Sequence, residues 1–390
     1  MKEHSHLFAI EKGFTALNHG SFGACPKVVM EYQFDLIKRM ESLTTRFFMM
    51  EMKPLIIESL RTLSEFINSP LDDLVFIRNA TSAANAVINS LPFQDGDEIV
   101  TTNLIYESCA NLLKYFTKKK GVVLKTADIS FPDDDEDMIN DKIFNLVNER
   151  TKLIFIDHIT STTAMIMPVE KIIGRAKDLG IETFVDGAHA PGMIPLNIKQ
   201  LKPDYYTGNC HKWLCSPKGA AFLYVKPEKQ HLITPNIISN YFEKGSTTKE
   251  KMFNSFYWLG TMDYTGCICV KAVIDYIESE IEGGWNEVMR RNRSLAIKGR
   301  DIITETLNLS GYTKESMTGS MVSIKTDSLS EIDPDTTLDR LYYEMLFNHR
   351  IETVFAPLLP SRERLLRISA HLYNKESDYL RLANALKGHF

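Results

Sequence analysis

The 390-residue sequence is poor in the features that mark several large classes of protein. Its six cysteines (Cys25, Cys109, Cys210, Cys215, Cys267, Cys269) are far too sparse for a disulfide scaffold, and their spacings give no two paired C-x-x-C clusters. A reducing compartment fits that usage. There is no basic excess: 45 Lys+Arg stand against 50 Asp+Glu, a net charge of -5, which disfavours nucleic acid as a partner. No run of about 18 apolar residues occurs, so no membrane span is expected, and the start MKEHSHLFAI is too short in apolar residues for a secretory signal. We therefore expect a cytoplasmic protein. Internal repeats, low-complexity tracts, the G-x-G-x-x-G dinucleotide fingerprint and the G-x-S-x-G hydrolase elbow are all missing.

What remains is ordinary and compact. Apolar residues make up 44% and charged residues 24%, close to the averages of soluble globular chains. At roughly 150 residues per domain the length implies two or three folding units.

From Leu74 to Val225 short apolar runs alternate with longer segments of helical period, the pattern of a mainly parallel sheet with crossover helices. The spacing predicts strands at Leu74 to Ile77, Glu98 to Thr102, Val122 to Lys125, Leu153 to Asp157, Glu182 to Asp186 and Ala220 to Val225, with a short one at Asp204 to Thr207. Helices are predicted at Ser82 to Leu91, Tyr106 to Phe116, Asp141 to Asn148 and Val169 to Leu179, and a packing helix at Lys53 to Asn68. After an irregular, aromatic-rich stretch from Lys226 to Thr261 the pattern changes to long helices, followed by apolar segments at 321–325, 341–347, 352–355 and 365–369. A smaller α+β domain is expected there. The acidic run Asp133 to Asp137 reads as a solvated loop rather than a cation site, and Lys118 to Lys120 as a helix end.

Chemistry concentrates in TFVDGAHAPG (Thr183 to Gly192) and YYTGNCHKWL (Tyr205 to Leu214). Asp186 ends a predicted strand, and ligands in open α/β sheets gather outside the carboxyl ends of strands. A lysine, Lys212, follows 26 residues later. That pairing fits pyridoxal phosphate, which needs an amine for its aldehyde and an anion facing its ring nitrogen. RNATSAAN (Arg78 to Asn85) opens a helix where free N–H groups and the helix dipole favour a phosphate, although Thr81 or Ser82 could simply cap the helix. Zinc is disfavoured: Cys210, His211, Cys215 and His189 are suitable donors, but no second cysteine pair exists and a neighbouring Cys and His rarely both turn toward one metal.

In their joint order, these segments resemble a class V aminotransferase-fold enzyme of the isopenicillin N epimerase-like branch. The resemblance runs from LNHGSFGACP (Leu17 to Pro26) through RNATSAAN, DHITSTTAMIMP (Asp157 to Pro168), VDGAHAPG and GNCHKWLCSPKGAAFL to WLGTMDYT (Trp258 to Thr265) and LLRISAHLYN (Leu365 to Asn374). It implies a fold type I α/β enzyme that binds pyridoxal 5'-phosphate, with an N-terminal arm (1–26), a large cofactor-binding domain (27–260) and a small C-terminal domain (261–390).

By that resemblance Lys212 joins the cofactor, Asp186 faces the pyridinium nitrogen and His189 lies near the phenolic oxygen. Thr81, Ser82, His211 and Asn209 hold phosphate, Thr261 reaches across from the second subunit of a homodimer, and Tyr106 stacks on the ring. Arg367 clamps the substrate carboxylate, with Asn18 and His19 approaching from the arm. Ser161 stands where many relatives have asparagine, a departure from the family pattern. Cysteine desulfurases use a mobile cysteine in the C-terminal half, but none follows Cys269. The implied substrate is an amino acid attacked at Cα, most simply by β-elimination from a cysteine derivative. Epimerisation, transamination and a non-catalytic cofactor-binding regulator are the alternatives.

Overall fold

The computed structural model describes residues 4–333, 335 and 338–389; the first three residues of the predicted arm lie outside that range. In chain order come α1 (Lys27–Ser42), α2 (Met52–Phe66), β1 (Leu74–Ile77), α3 (Ala80–Ser90), β2 (Glu98–Thr102), α4 (Glu107–Lys120) and β3 (Val123–Ala127). They are followed by α5 (Glu136–Phe144), β4 (Thr151–Asp157), α6 (Val169–Asp178), β5 (Glu182–Asp186), β6 (Tyr205–Asn209) and β7 (Ala221–Val225). The last third contains α7 (Thr248–Tyr257), α8 (Thr265–Glu280), α9 (Gly284–Leu307), β8 (Met321–Leu329), α10 (Arg340–His349), β9 (Val354–Leu358), β10 (Glu363–Ser369) and α11 (Glu376–Ala385).

The predicted limits of β1, β2 and β5 coincide with the observed ones, because each is an apolar run ended abruptly by turn residues. Two local expectations are corrected. The acidic run is not merely a solvated loop: Asp134 is buried, accepting from Ser130 N at 2.8 Å and Lys142 Nζ at 2.5 Å, and Asp135 caps α5, which therefore starts at Glu136 rather than Asp141. Segment 341–347 is helical, within α10. Lys118 to Lys120 do form the last turn of α4.

Strand order in the seven-stranded sheet is β1-β7-β6-β5-β4-β2-β3, parallel except for β7, which runs against both neighbours. Its central strands are apolar on both faces because helices cover both. Leu153, Phe155 and Phe184 point to the side of α3 and α4, meeting Ala83, Val87, Leu113 and Phe116; Ile154, Ile156 and Val185 point the other way, toward Leu60 of α2 and Ile172 of α6. Each such side chain, fully buried, contributes about 1.5–3 kcal/mol.

A three-stranded antiparallel sheet, β9-β10-β8, packs against α9, and α9 packs against α11. The arm is joined to this second sheet's body: Thr15–Ala16 pairs in parallel with Ile351–Glu352, and Leu17 enters a core with Ile324, Leu366 and Ile368. Helix α8 packs instead on α1 and α2. Among the described residues no helix is long and apolar enough to cross a membrane.

The topology places the chemistry. Strands β1, β2, β4, β5 and β6 all run in one direction, so their carboxyl ends lie along one edge of the sheet. Asp157, Asp186 and Asn209 end β4, β5 and β6, and the turns leaving β1 and β2 start α3 and α4 beside them.

Candidate active site

A pocket of about 240 Å³ opens at that edge, lined by residues from six segments: Ser21 and Phe22 of the arm, Asn79 to Thr81, Tyr106, Asp157 to Ser161, Asp186 to His189, and Asn209 to Lys212. Most of the predicted site residues meet here. Asn18, His19, Ser82, Thr261 and Arg367 are not on its wall, and Thr261 is exposed.

Lys212 is half-buried on a tight loop after β6. Two glycines let other segments press on that loop. Gly192, at φ +84°, lies so close that a Cβ would sit 2.5 Å from the Trp213 carbonyl oxygen, and a Cβ on Gly23, at φ +73°, would collide with the His211 carbonyl. Burial first, and then the Arg367 charge, lower the Lys212 pKa to about 8. Its Nζ lies 3.1 Å from Nε2 of His189, whose Nδ1 accepts the indole N–H of Trp213 at 3.2 Å. Since indole can only donate, the neutral imidazole carries its proton on Nε2 and directs it at Nζ. Burial holds His189 well below the usual histidine range, so the ring stays neutral.

Asp186 accepts from Ala188 N at 2.9 Å and from the Cys109 thiol at 3.4 Å. Its neighbour in register is Asp157, which accepts Tyr106 N at 3.1 Å through one oxygen while the other has no partner. Both carboxyls are buried, and burial raises both pKa values. Tyr106, about 41% exposed, stands at the mouth.

At the opposite wall α3 begins. The cap is Asn79, accepting Ser82 N at 2.8 Å, and not Thr81 or Ser82 as expected; a third residue back reaches the free N–H better. Asn209 accepts Ala80 N at 2.9 Å and so ties the end of β6 to this helix start. Thr81 faces the pocket, whereas the Ser82 carbonyl is taken by Asn236. His211 bonds through Nδ1 to the Ala220 carbonyl at 2.8 Å, and burial lowers its pKa to about 4. Its Nε2 can therefore hold an anion only if that anion draws a proton onto the ring.

Arg367 is buried with neutral oxygens for company: the Ser161 carbonyl at 2.7 Å and hydroxyl at 3.3 Å, Ser21 Oγ at 2.7 Å and Asn18 Oδ1 at 3.2 Å. Its Nε has no partner, and burial lowers its pKa to about 10, which leaves it charged. Ser161 and Ser21 line the pocket, and the guanidinium lies directly behind them.

His19 is corrected. It lies beneath the loop, with Nε2 at 3.0 Å from the Lys212 carbonyl oxygen and Nδ1 at 2.9 Å from the Tyr373 hydroxyl, and so braces Lys212 rather than facing a substrate. With Cys215 and His371 it forms a donor cluster, all three ligand atoms lying within 4.8 Å. The His19 and His371 rings, however, stack at 3.9 Å and 10°, so their in-plane lone pairs run parallel and cannot converge on one ion. The cluster is a packed, neutral floor.

Sequence reasoning missed Asp157, Ser21, Trp213 and Cys109. Asp157 ends its strand just as Asp186 does, which was a usable signal; the other three are small or apolar-looking residues with none.

The pocket's inventory suits pyridoxal phosphate: a half-buried amine of lowered pKa, a buried carboxyl behind it, an aromatic ring at the mouth and a helix N-terminus opposite. The family model "Aminotransferase class-V" matches residues 26–382. The chain belongs to the class V aminotransferase family. Within that family it is 26% identical, over 96% of this chain and 82% of the relative, to a probable chloroplastic L-cysteine desulfhydrase of Arabidopsis thaliana. It is 28% identical, over 95% and 93%, to isopenicillin N epimerase of Streptomyces clavuligerus. Among solved structures, the cystine C–S lyase C-DES in complex with cysteine persulfide matches with a TM-score of 0.80 and 20% identity, over 96% of this chain and 97% of that one. This class V chain therefore has the fold type I architecture that the motifs implied.

Proposed function

We propose that this class V enzyme is a pyridoxal 5'-phosphate-dependent C–S lyase that eliminates sulfur from Cβ of a cysteine-derived amino acid. The observation that carries the amino-acid chemistry is the pairing of a half-buried amine of lowered pKa, Lys212, with a buried guanidinium, Arg367, that meets only neutral oxygens. A charged group so placed lacks its counterion, and a substrate carboxylate supplies it in bidentate form. The L-cysteine desulfhydrase and C–S lyase relatives favour sulfur as the leaving group.

When bound, pyridoxal phosphate would supply an electron sink for charge developing at Cα. Asp186 would hold its ring nitrogen; Thr81, Asn209 and His211 would serve the phosphate end, with Ser82, off the pocket wall, contributing at most its backbone N–H at the α3 start; Tyr106 would cover the ring, and Ser161 and His189 would flank it. Arg367, with Asn18, orients the carboxylate. Lys212, as a neutral amine, would turn its lone pair away from the His189 N–H and take the Cα proton. The Cβ–S bond then breaks with its electron pair going to sulfur. Overall, substrate and water give thiol, pyruvate and ammonium.

A substrate panel in heavy water tests this. Release of keto acid and thiol with the cofactor unchanged is expected. Cα exchange with inversion and no keto acid would instead establish epimerisation, and keto acid with conversion of the cofactor to its amine form, transamination.

We infer also that two copies form the working unit. Phe22 at the pocket, Phe34 of α1, Met49 and Met50 leave large apolar side chains 58–71% exposed, and exposed Thr261 is free to serve a neighbouring pocket. Six unpaired thiols support a reducing, cytoplasmic setting. The expected division into arm (1–26), large (27–260) and small (261–390) domains is kept with one correction: α8 packs on α1 and α2 and so belongs with the large domain, and the small domain begins after it.

A further inference from the structure

The carboxyl pair at the floor of the pocket has too few donors for two charges. Asp157 and Asp186 are register partners on adjacent parallel strands and face the same side of the sheet. Below them the next register pair on the same face, Phe155 and Phe184, forms an apolar stack at 4.5 Å and 15°. Donors to the pair are Ala188 N and the Cys109 thiol on Asp186, and Tyr106 N on Asp157. The nearby cation, Lys212, is turned to His189, and the Arg367 bonds go to Ser161, Asn18 and Ser21. The remaining ionisable neighbour is the Tyr206 phenol of β6, which burial keeps protonated.

Two adjacent carboxylates on such a floor cannot both be ionised, and one proton must remain. It stays on the member with fewer donors. Asp186 has two and Asp157 has one, with its second oxygen unpartnered.

We propose that Asp157 is a positioning residue that works as a neutral carboxylic acid, linking Asp186 to the start of α4 and so setting the place of Tyr106 relative to the ring-nitrogen carboxylate. The proposal rests on the cofactor reading above. One oxygen of Asp157 holds the main chain at Tyr106, and its hydroxyl is free to donate to Asp186. Asn has the same shape, keeps both functions and carries no charge.

The test titrates full-length wild type, Asp157→Asn and Asp157→Ala, each freed of cofactor, with pyridoxal phosphate, and follows the visible band of the bound form from pH 6 to 9. Thermal unfolding of each cofactor-free protein reports folding separately. Wild type and Asp157→Asn should bind within about threefold of one another, with the pH midpoint of the band unmoved; Asp157→Ala should bind about tenfold more weakly or worse, having lost the acceptor for Tyr106 N. A midpoint displaced by about one unit in Asp157→Asn would show an ionised Asp157 and overturn the proposal. Wild-type affinity in a folded Asp157→Ala would overturn it equally. A wild type that gains no visible band sinks the cofactor reading, and this proposal with it.

Discussion

Trp213 decides the tautomer of His189: the indole N–H occupies Nδ1 at 3.2 Å, which leaves the Nε2 proton facing Lys212. An N–H aimed at Nζ requires a lone pair there, so the residue next to Lys212 in sequence selects its neutral amine by way of a histidine from another strand's turn.

Replacing Trp213 by Phe keeps the packing and frees Nδ1. Lys212 then loses a fixed donor, and turnover should fall about tenfold with KM little changed. Steady-state kinetics of Trp213→Phe against wild type check this; an unchanged kcat removes the indole from the argument.

Capture of pyridoxal phosphate by the cofactor-free protein should speed up as pH rises through about 8, where Lys212 loses its proton. Only the neutral amine attacks the aldehyde, so the rate falls below that pH and levels off above it. Stopped-flow absorbance gives the profile. In Lys212→Ala, borohydride should trap no cofactor on the chain.

Arg367→Ala should lower kcat/KM by about a hundredfold or more, because a substrate carboxylate then enters a buried site without its partner. Arg367→Lys keeps the charge without the planar fork and should recover only part of the loss. An amino-acid amide, lacking the carboxylate, should discriminate poorly between wild type and Arg367→Ala.

At Gly23, φ +73° and the approach to the His211 carbonyl leave no room for a Cβ. Gly23→Ala should destabilise the protein by about 1–3 kcal/mol and, because the loop must shift, slow cofactor capture as well. Thermal unfolding and the same stopped-flow assay measure the two effects.

Thr261→Ala should weaken cofactor retention if a second copy completes the site, while leaving the mass of the assembly unchanged. Equilibrium sedimentation with cofactor dissociation assays tests both; fully active monomers would refute the shared site.

Much of this molecule is legible along the chain. Apolar runs closed by turn residues mark β1, β2 and β5 to the residue, since a strand buried on both faces has nothing to hide from its neighbours, and Asp186, Lys212 and Arg367 are recognisable from residue type and motif. Other features depend on distances between remote segments. The turn of His19 toward the Lys212 carbonyl, the packing of α8 on α1 and α2, and the Trp213 to His189 bond are contacts across up to hundreds of residues. Asp157 shows the division most plainly. Its position at a strand end is written in the sequence, but its pairing with Asp186 comes from the register of β4 on β5, which is fixed only when both strands bury their faces against helices from remote parts of the chain.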